Sequence, residues 1–272
     1  MGVLTSREVS PDRIECELDL AALYPDQQSR ASFEARWKLF EAASNQCAGL
    51  YRKESDRLFY CSESFIPDRA DHRPPLLFVV GNPACHSVVE GMCFSREAKA
   101  RVHRFWRALS RAGLAEFACD TKPGDPLLNQ RRKNELYELQ YQSPFRVGIT
   151  VFFSFPTPAS GPPWSGVSGV VRLFGRPAVQ PLLVGEETRL KEELDAFMGP
   201  RGAIVALQRD AYAGLTDGNA SGYSLRAARA GTLRGVSKFS SPVPVFGTPP
   251  TRLWLSPTSI DVLRKIRSHL SG

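Results

Sequence analysis

Five consecutive apolar residues, Leu76-Leu77-Phe78-Val79-Val80, run without interruption into Gly81-Asn82-Pro83. A strand wetted on one face alternates polar and apolar residues, whereas a strand covered on both faces reads as a continuous apolar run. The run therefore predicts a strand of a parallel sheet with helices on both sides, and restricts the chain to architectures that supply such cover. Gly81 permits a tight turn after the strand, and Pro83 biases Asn82 toward an extended conformation. Ligands of open α/β sheets sit beyond the carboxyl ends of strands, so the polar cluster after Val80 is the candidate site. Asn82 has a structural alternative as a turn residue capping backbone groups.

Further strands are expected at residues 147–153, 203–207 and 253–255, with a short one at 58–61. Val102, Phe105, Trp106 and Leu109 fall at i, i+3, i+4 and i+7, which predicts an amphipathic helix over 101–113 with Arg101, Arg104, Arg107 and Arg111 mostly off the apolar face. Helices are also expected at 32–51, 186–198, 209–215 and 261–270. Residues 120–134, 155–181 and 217–250 read as loops from their polar, Gly, Ser and Pro content, the last one basic enough to contact phosphate or to be a solvated insertion. The alternation predicts an α/β fold: a doubly wound, mostly parallel four-stranded sheet flanked by helices in three αβα layers. Residues 1–66 are expected to form an N-terminal helical extension packed on a core domain at 67–272.

A formal charge of +7 favours an anionic partner, nucleic acid ahead of membrane. No apolar stretch approaches the roughly 20 residues that span a bilayer, and the opening residues lack the apolar core of a secretory signal. A cytoplasmic location is expected, or a nuclear one in a eukaryote. Cys16, Cys47, Cys61, Cys85, Cys93 and Cys119 show no zinc or iron-sulfur spacing, so no metal is expected. In a reducing compartment they are expected to be buried thiols rather than disulfides, with Cys85 and Cys93 flanking the candidate site.

No Gly-x-Gly-x-x-Gly, no Gly-x-x-x-x-Gly-Lys-Ser/Thr and no intact Gly-x-Ser-x-Gly is present, which disfavours nucleotide-cofactor binding and serine hydrolysis. The ordered set Gly81-Asn82-Pro83, Gly91-Met92-Cys93-Phe94, Arg104-Phe105-Trp106, Gly148-Ile149-Thr150 and Ser256-Pro257-Thr258-Ser259-Ile260 resembles the uracil-DNA glycosylase superfamily, in particular its mismatch-specific and thymine-DNA glycosylase branch. The resemblance runs from Leu76 to the C-terminus, interrupted by two long loops.

What the resemblance implies is base excision without metal or cofactor: a monomer flips a nucleotide out of DNA and hydrolyses its N-glycosidic bond, leaving an abasic site. On that reading Asn82 orients the water, and His86 donates a proton or contacts phosphate. Gly81, Pro83, Cys85, Phe94 and Thr150 line the base pocket, Phe94 stacking on the base. Ser256, Pro257, Thr258, Ser259 and Ile260 form the loop that enters DNA, in which Ser256 and Thr258 hold phosphates and Ile260 is the wedge; Arg234 and Lys238 of the basic segment 217–250 are further candidates for DNA contact. Phe94 and Ile260 have structural alternatives as a core aromatic and an inward helix residue. The chain departs from the branch in having no residue between Gly81 and Asn82, in carrying Ser256 where His or Asn is common, and in lacking an Asn after Thr150 to read uracil. These departures point to a damaged, mismatched or modified pyrimidine rather than to strict uracil specificity. The alternatives are a glycosylase for bulky hypermodified cytosine in phage DNA, serving antiviral defence, a catalytically silent DNA-binding protein on the same fold, and a hydrolase of free nucleosides.

Overall fold

In the N-terminal sequence, period-two alternation decides the structure. Along Arg13–Asp19, Ile14, Cys16 and Leu18 are buried while Glu15 and Glu17 turn outward, the pattern of a strand covered on one face. The computed structural model describes residues 2–47, 49–95, 102–121, 125–161, 163–216, 222–239 and 242–271. It divides the chain into two compact units. The first comprises Met1–Ser64, Gly81–Cys93 and Val151–Glu192, and the second Phe65–Val80, Phe94–Thr150 and Glu193–Gly272.

In the first unit, β1 (Leu4–Ser10), β2 (Arg13–Asp19), β3 (Tyr51–Glu54) and β4 (Arg57–Glu63) form an antiparallel sheet in the order β1-β2-β4-β3. The expectation of a helical extension is thereby corrected. The short helix α1 (Leu20–Leu23) precedes α2 (Gln27–Ala43), which starts where Asp26 accepts the Ser29 N–H at 2.8 Å. Phe33, Trp37 and Phe40 form its buried stripe. The helix ends before Cys47 and Tyr51, which lie on the same apolar period but beyond its last turn. The unit also holds α3 (Cys85–Glu90).

The second unit is built on the apolar runs. Its sheet has the order β6-β5-β7-β9-β8, with β5 at Pro75–Val80, β6 at Arg146–Val151, β7 at Ala203–Ala206, β8 at Arg234–Val236 and β9 at Pro244–Gly247. β7 runs parallel to both β5 and β9, and β8 is antiparallel to β9. The result is a five-stranded, mostly parallel sheet, where four strands were expected. The expected strand at 253–255 instead follows a 3-10 turn, Thr251–Leu253, and buries Trp254, whose indole N–H donates to Pro249 O at 2.8 Å. β8 and β9 lie in the segment read as a loop, whose residues 217–221 fall outside those described.

Helix α4 (Arg104–Ala112) buries Phe105, Trp106 and Leu109 as its spacing predicts; Arg101, at the start of the expected helix, lies outside the described residues. The two other segments read as loops also hold helices. α5 (Leu128–Tyr137) occupies part of the first, while α6 (Gly166–Phe174) and the start of α7 (Arg176–Phe197) occupy the second. α8 (Arg209–Leu215), α9 (Leu225–Ala230) and α10 (Pro257–Ser271) complete the chain, and α10 packs against both α4 and α9. No helix among the described residues is long and apolar enough to cross a membrane.

α5 is concealed because its inward stripe, Leu128, Arg132 and Leu136, has an arginine at its centre. Arg132 is 0% exposed, pairs with Asp120 and lies with its guanidinium 5.0 Å from the Trp106 ring centre. Asp120→Ala leaves that buried cation uncompensated and is expected to cost about 3 kcal/mol in urea unfolding. Asp120→Ala combined with Arg132→Met is expected to recover most of the loss.

Candidate active site

Backbone pairing beyond β5 fixes the Gly-Asn-Pro turn. Phe153 N–H donates to Gly81 O at 2.8 Å, Thr157 N–H to Pro83 O at 3.1 Å, and Cys85 N–H to Thr157 O at 2.9 Å. The segments 81–85 and 153–157 thus run together like short parallel strands, with Ala84 opposite Thr157. Asn82, half-buried between them, donates from Nδ2 to Thr157 Oγ1 at 2.8 Å, with Phe155 O at 3.2 Å and Pro83 O at 3.3 Å. Turning the amide over would set its oxygen against the Phe155 and Pro83 carbonyls, which cannot donate, so the surroundings dictate its orientation. Asn82 Oδ1 accepts no hydrogen bond from a described residue. The geometry leaves a fixed acceptor in the turn that follows β5.

Beneath this turn lies a buried polar network of the same unit. Glu186 Oε1 accepts both the N–H and the hydroxyl of Ser154 at 2.6 Å, and Oε2 accepts Arg189 Nε at 2.8 Å. Arg189 also donates to Val151 O at 2.5 Å and Phe152 O at 3.2 Å. Because the Ser154 proton points to Glu186, the Tyr60 hydroxyl, 2.7 Å from Ser154 Oγ, is the donor of that pair. Burial raises the Tyr60 hydroxyl well above the usual tyrosine range. Burial, reinforced by the Glu186 charge, pushes the adjacent Cys16 up to about 12, so it stays a thiol and no nucleophile.

Cys85 is bonded to Cys47, with Cα atoms 5.1 Å apart, which corrects the expectation of six thiols. Cys16, Cys61, Cys93 and Cys119 form no disulfide with a described residue. Tyr51 donates to Pro156 O at 2.6 Å, and its ring stacks on Phe155 at 5.1 Å, so the facing segment is held from this side too. His86 is exposed in the first turn of α3.

The remaining sequence-predicted residues belong to the second unit. Phe94 has φ of 49°, a left-handed conformation that a bulky side chain seldom adopts. Its ring stacks on Phe105 at 4.1 Å and on His103 at 5.2 Å, Phe105 stacks on Trp254 at 5.1 Å, and the Phe94 carbonyl accepts the Trp106 indole N–H at 2.9 Å. Trp254 leads into Ser256, whose Oγ accepts the Ser259 N–H at 3.2 Å and caps α10. Pro257 and Thr258 are exposed, whereas Ser259 is buried and Ile260, matched to the wedge, is 6% exposed. Thr150 is buried, and its hydroxyl donates to Glu193 Oε2 at 2.6 Å. Gly148 has a packing reason: a Cβ there would lie 2.9 Å from Phe197 Cζ and 3.1 Å from Leu77 Cδ1. Arg234 lies over the Phe246 ring and Lys238 beside that of Phe239. Phe94 and the residues 256–260 are therefore linked through one aromatic stack, in which Thr150, Arg234 and Lys238 take no part.

Sequence reasoning missed Thr157, Ser154, Glu186, Arg189 and Tyr60. Ser154 follows the expected second strand directly, but its partner lies 32 residues on and nothing local marks the pair. No group of three or more His, Cys, Asp or Glu among the described residues is arranged to hold a metal ion. No protein-family model matches the chain, and no curated protein aligns with it significantly.

A covalent link and a buried carboxyl both bear on the stability of this unit. The disulfide closes a separation of 38 residues, for which chain entropy contributes up to about 4 kcal/mol; Cys47→Ser is expected to lower the urea midpoint markedly, and reducing the wild type with dithiothreitol should reproduce that loss. Burial, and secondarily Asp12, raises the Glu63 carboxyl from 4.5 to about 8. Between those values the folded chain keeps a proton that the unfolded chain releases, so stability falls as pH rises. Glu63→Gln removes this penalty. Its advantage over wild type in thermal unfolding should grow from pH 5 to pH 8, and a constant difference would refute the assignment.

Proposed function

We propose that the chain is a monofunctional DNA glycosylase of the uracil-DNA glycosylase type, on a three-layer αβα core, acting on a flipped damaged, mismatched or modified pyrimidine. The observation that carries this reading is Asn82, whose Nδ2 is anchored by Thr157 at 2.8 Å while Oδ1 accepts no hydrogen bond from a described residue. In N-glycosidic hydrolysis the sugar develops oxocarbenium character and the base departs as an anion, so attack needs a positioned water more than a strong base. An amide oxygen meets that need, because it accepts a hydrogen bond from the water and so turns the water's lone pair toward the anomeric carbon, while the proton that the water releases on attack neutralises the departing anionic base. Thr157 and Phe155 act through Asn82 as positioning groups, since losing their bonds frees the amide to turn. The basic surplus of the chain favours its polyanionic substrate.

The test incubates the protein with duplexes carrying uracil, mismatched thymine, hydroxymethylcytosine or glucosylated hydroxymethylcytosine and detects free base by mass. Wild type is expected to release at least one base, and Asn82→Ala to release it at least about 100-fold more slowly. Thr157→Val should lie between the two. Failure of wild type to release any base, or equal release by Asn82→Ala, would overturn the reading; duplex binding without release would leave a DNA-binding protein.

A further inference from the structure

The net positive charge is unevenly divided. Acidic residues outnumber basic ones in the first unit, so the whole basic surplus resides in the second. There α4 carries Arg104, Arg107 and Arg111 with no acidic residue, and its neighbour α10 carries Arg264, Lys265 and Arg267 against Asp261 alone. Between the C-terminal end of α4 and α10 lies an open hollow of about 650 Å³, lined by Ser110, Arg111, Gly113, Arg264, Arg267 and Ser268.

Arginines at a helix C-terminus commonly serve the last carbonyls. Here the backbone already does so. Gly113 N–H donates to Ser110 O and Leu114 N–H to Leu109 O, each at 2.9 Å, and Arg264 reaches Arg111 O at 3.4 Å. Arg264 also meets Asp261 at 3.2 Å, an ion pair whose side chains are both well exposed and which water weakens. The side chains of Arg111 and Arg267 have no ion pair or hydrogen bond to a described residue. Gly113, at φ +67°, leaves the notch in which the Arg267 guanidinium lies, and a Cβ there would collide with it. Three guanidinium groups and two hydroxyls thus converge on one solvent-open hollow with most of their donors uncommitted.

We propose that this hollow binds the phosphodiester backbone of DNA, through residues none of which is assigned to base excision. Guanidinium forks match phosphate oxygens in pairs. An open trough between two basic helices suits a polymer that passes through it. The identification of the polymer as DNA rests on the proposed function; the anion site itself does not.

The test measures binding of a labelled, undamaged duplex by fluorescence anisotropy across a salt series, for wild type, Arg264→Ala/Arg267→Ala and the charge-matched control Arg7→Ala/Arg52→Ala in the first unit. Each phosphate contact contributes about 0.9 to the slope of log affinity against log salt. The Arg264/Arg267 variant is therefore expected to lose about 2 from that slope and at least about 10-fold in affinity at low salt, with its melting temperature and the control's binding unchanged. Affinity within 2-fold of wild type, or an equal loss in the control, would overturn the proposal. Arginine-dependent binding without base release from any substrate sustains the hollow and overturns only the glycosylase reading, whereas base release with arginine-independent binding overturns only the hollow.

Discussion

Everything near Asn82 depends on how the chain satisfies the polar groups of residues 151–157 once they are buried. Glu186 and Arg189 do most of this, taking up the N–H and hydroxyl of Ser154 and the carbonyls of Val151 and Phe152. A lone buried charge would be prohibitive, but here each charge meets the other and the backbone, so the network is satisfied within itself. A segment leaving a strand ordinarily seeks water for its carbonyls. This one is kept inside, where Phe153 and Thr157 can pair with the Gly-Asn-Pro turn. Loss of either charge would strand the other, which ties the placement of Asn82 to residues that never approach a substrate.

The legible parts of the sequence were those in which one local period dominated. The apolar run of β5 and the i, i+3, i+4, i+7 stripe of α4 each have a single reading, and both elements form where expected. β2 was legible in principle, since Ile14, Cys16 and Leu18 alternate with glutamates, but the charged residues that flank it weaken the apolar signal. α5 was hidden by Arg132 at the centre of its inward face, a charge that becomes intelligible only with Asp120 and Trp106 beside it. β8 and β9, three and four residues long and set among Pro, Ser and Gly, are too short to show a period and exist because β7 offers an edge.

The candidate site divides the same way. Asn82 stood out because a tight turn after a buried strand is a place where polar residues do chemistry, a strictly local argument. Its orientation was not legible, because Thr157 lies 75 residues away and the Glu186 network further still. Thr150 and Ile260 show the converse. Both looked like site residues from motif position, yet Thr150 spends its hydroxyl on Glu193 and Ile260 packs inward from the first turn of α10. Motif position gives a backbone location, and burial then decides what the side chain can touch.

The disulfide and the hydrogen bonds around the turn act on different degrees of freedom. The Cys47–Cys85 bond restricts the unfolded chain and so favours the folded state, but it leaves the side-chain torsions of Asn82 untouched. The two hydrogens of Nδ2 are shared among three acceptors and each bond is worth only about 1 kcal/mol net, yet together they select one face of the amide. Global stability and the aim of the amide are thus set by separate interactions, although Cys85 and Asn82 are close neighbours in the chain. Reduction of the disulfide can lower the first while the second persists in every molecule that remains folded. Removal of the Thr157 hydroxyl frees the amide while the covalent link stays intact, and because Gly166 N–H loses its acceptor as well it also costs some stability.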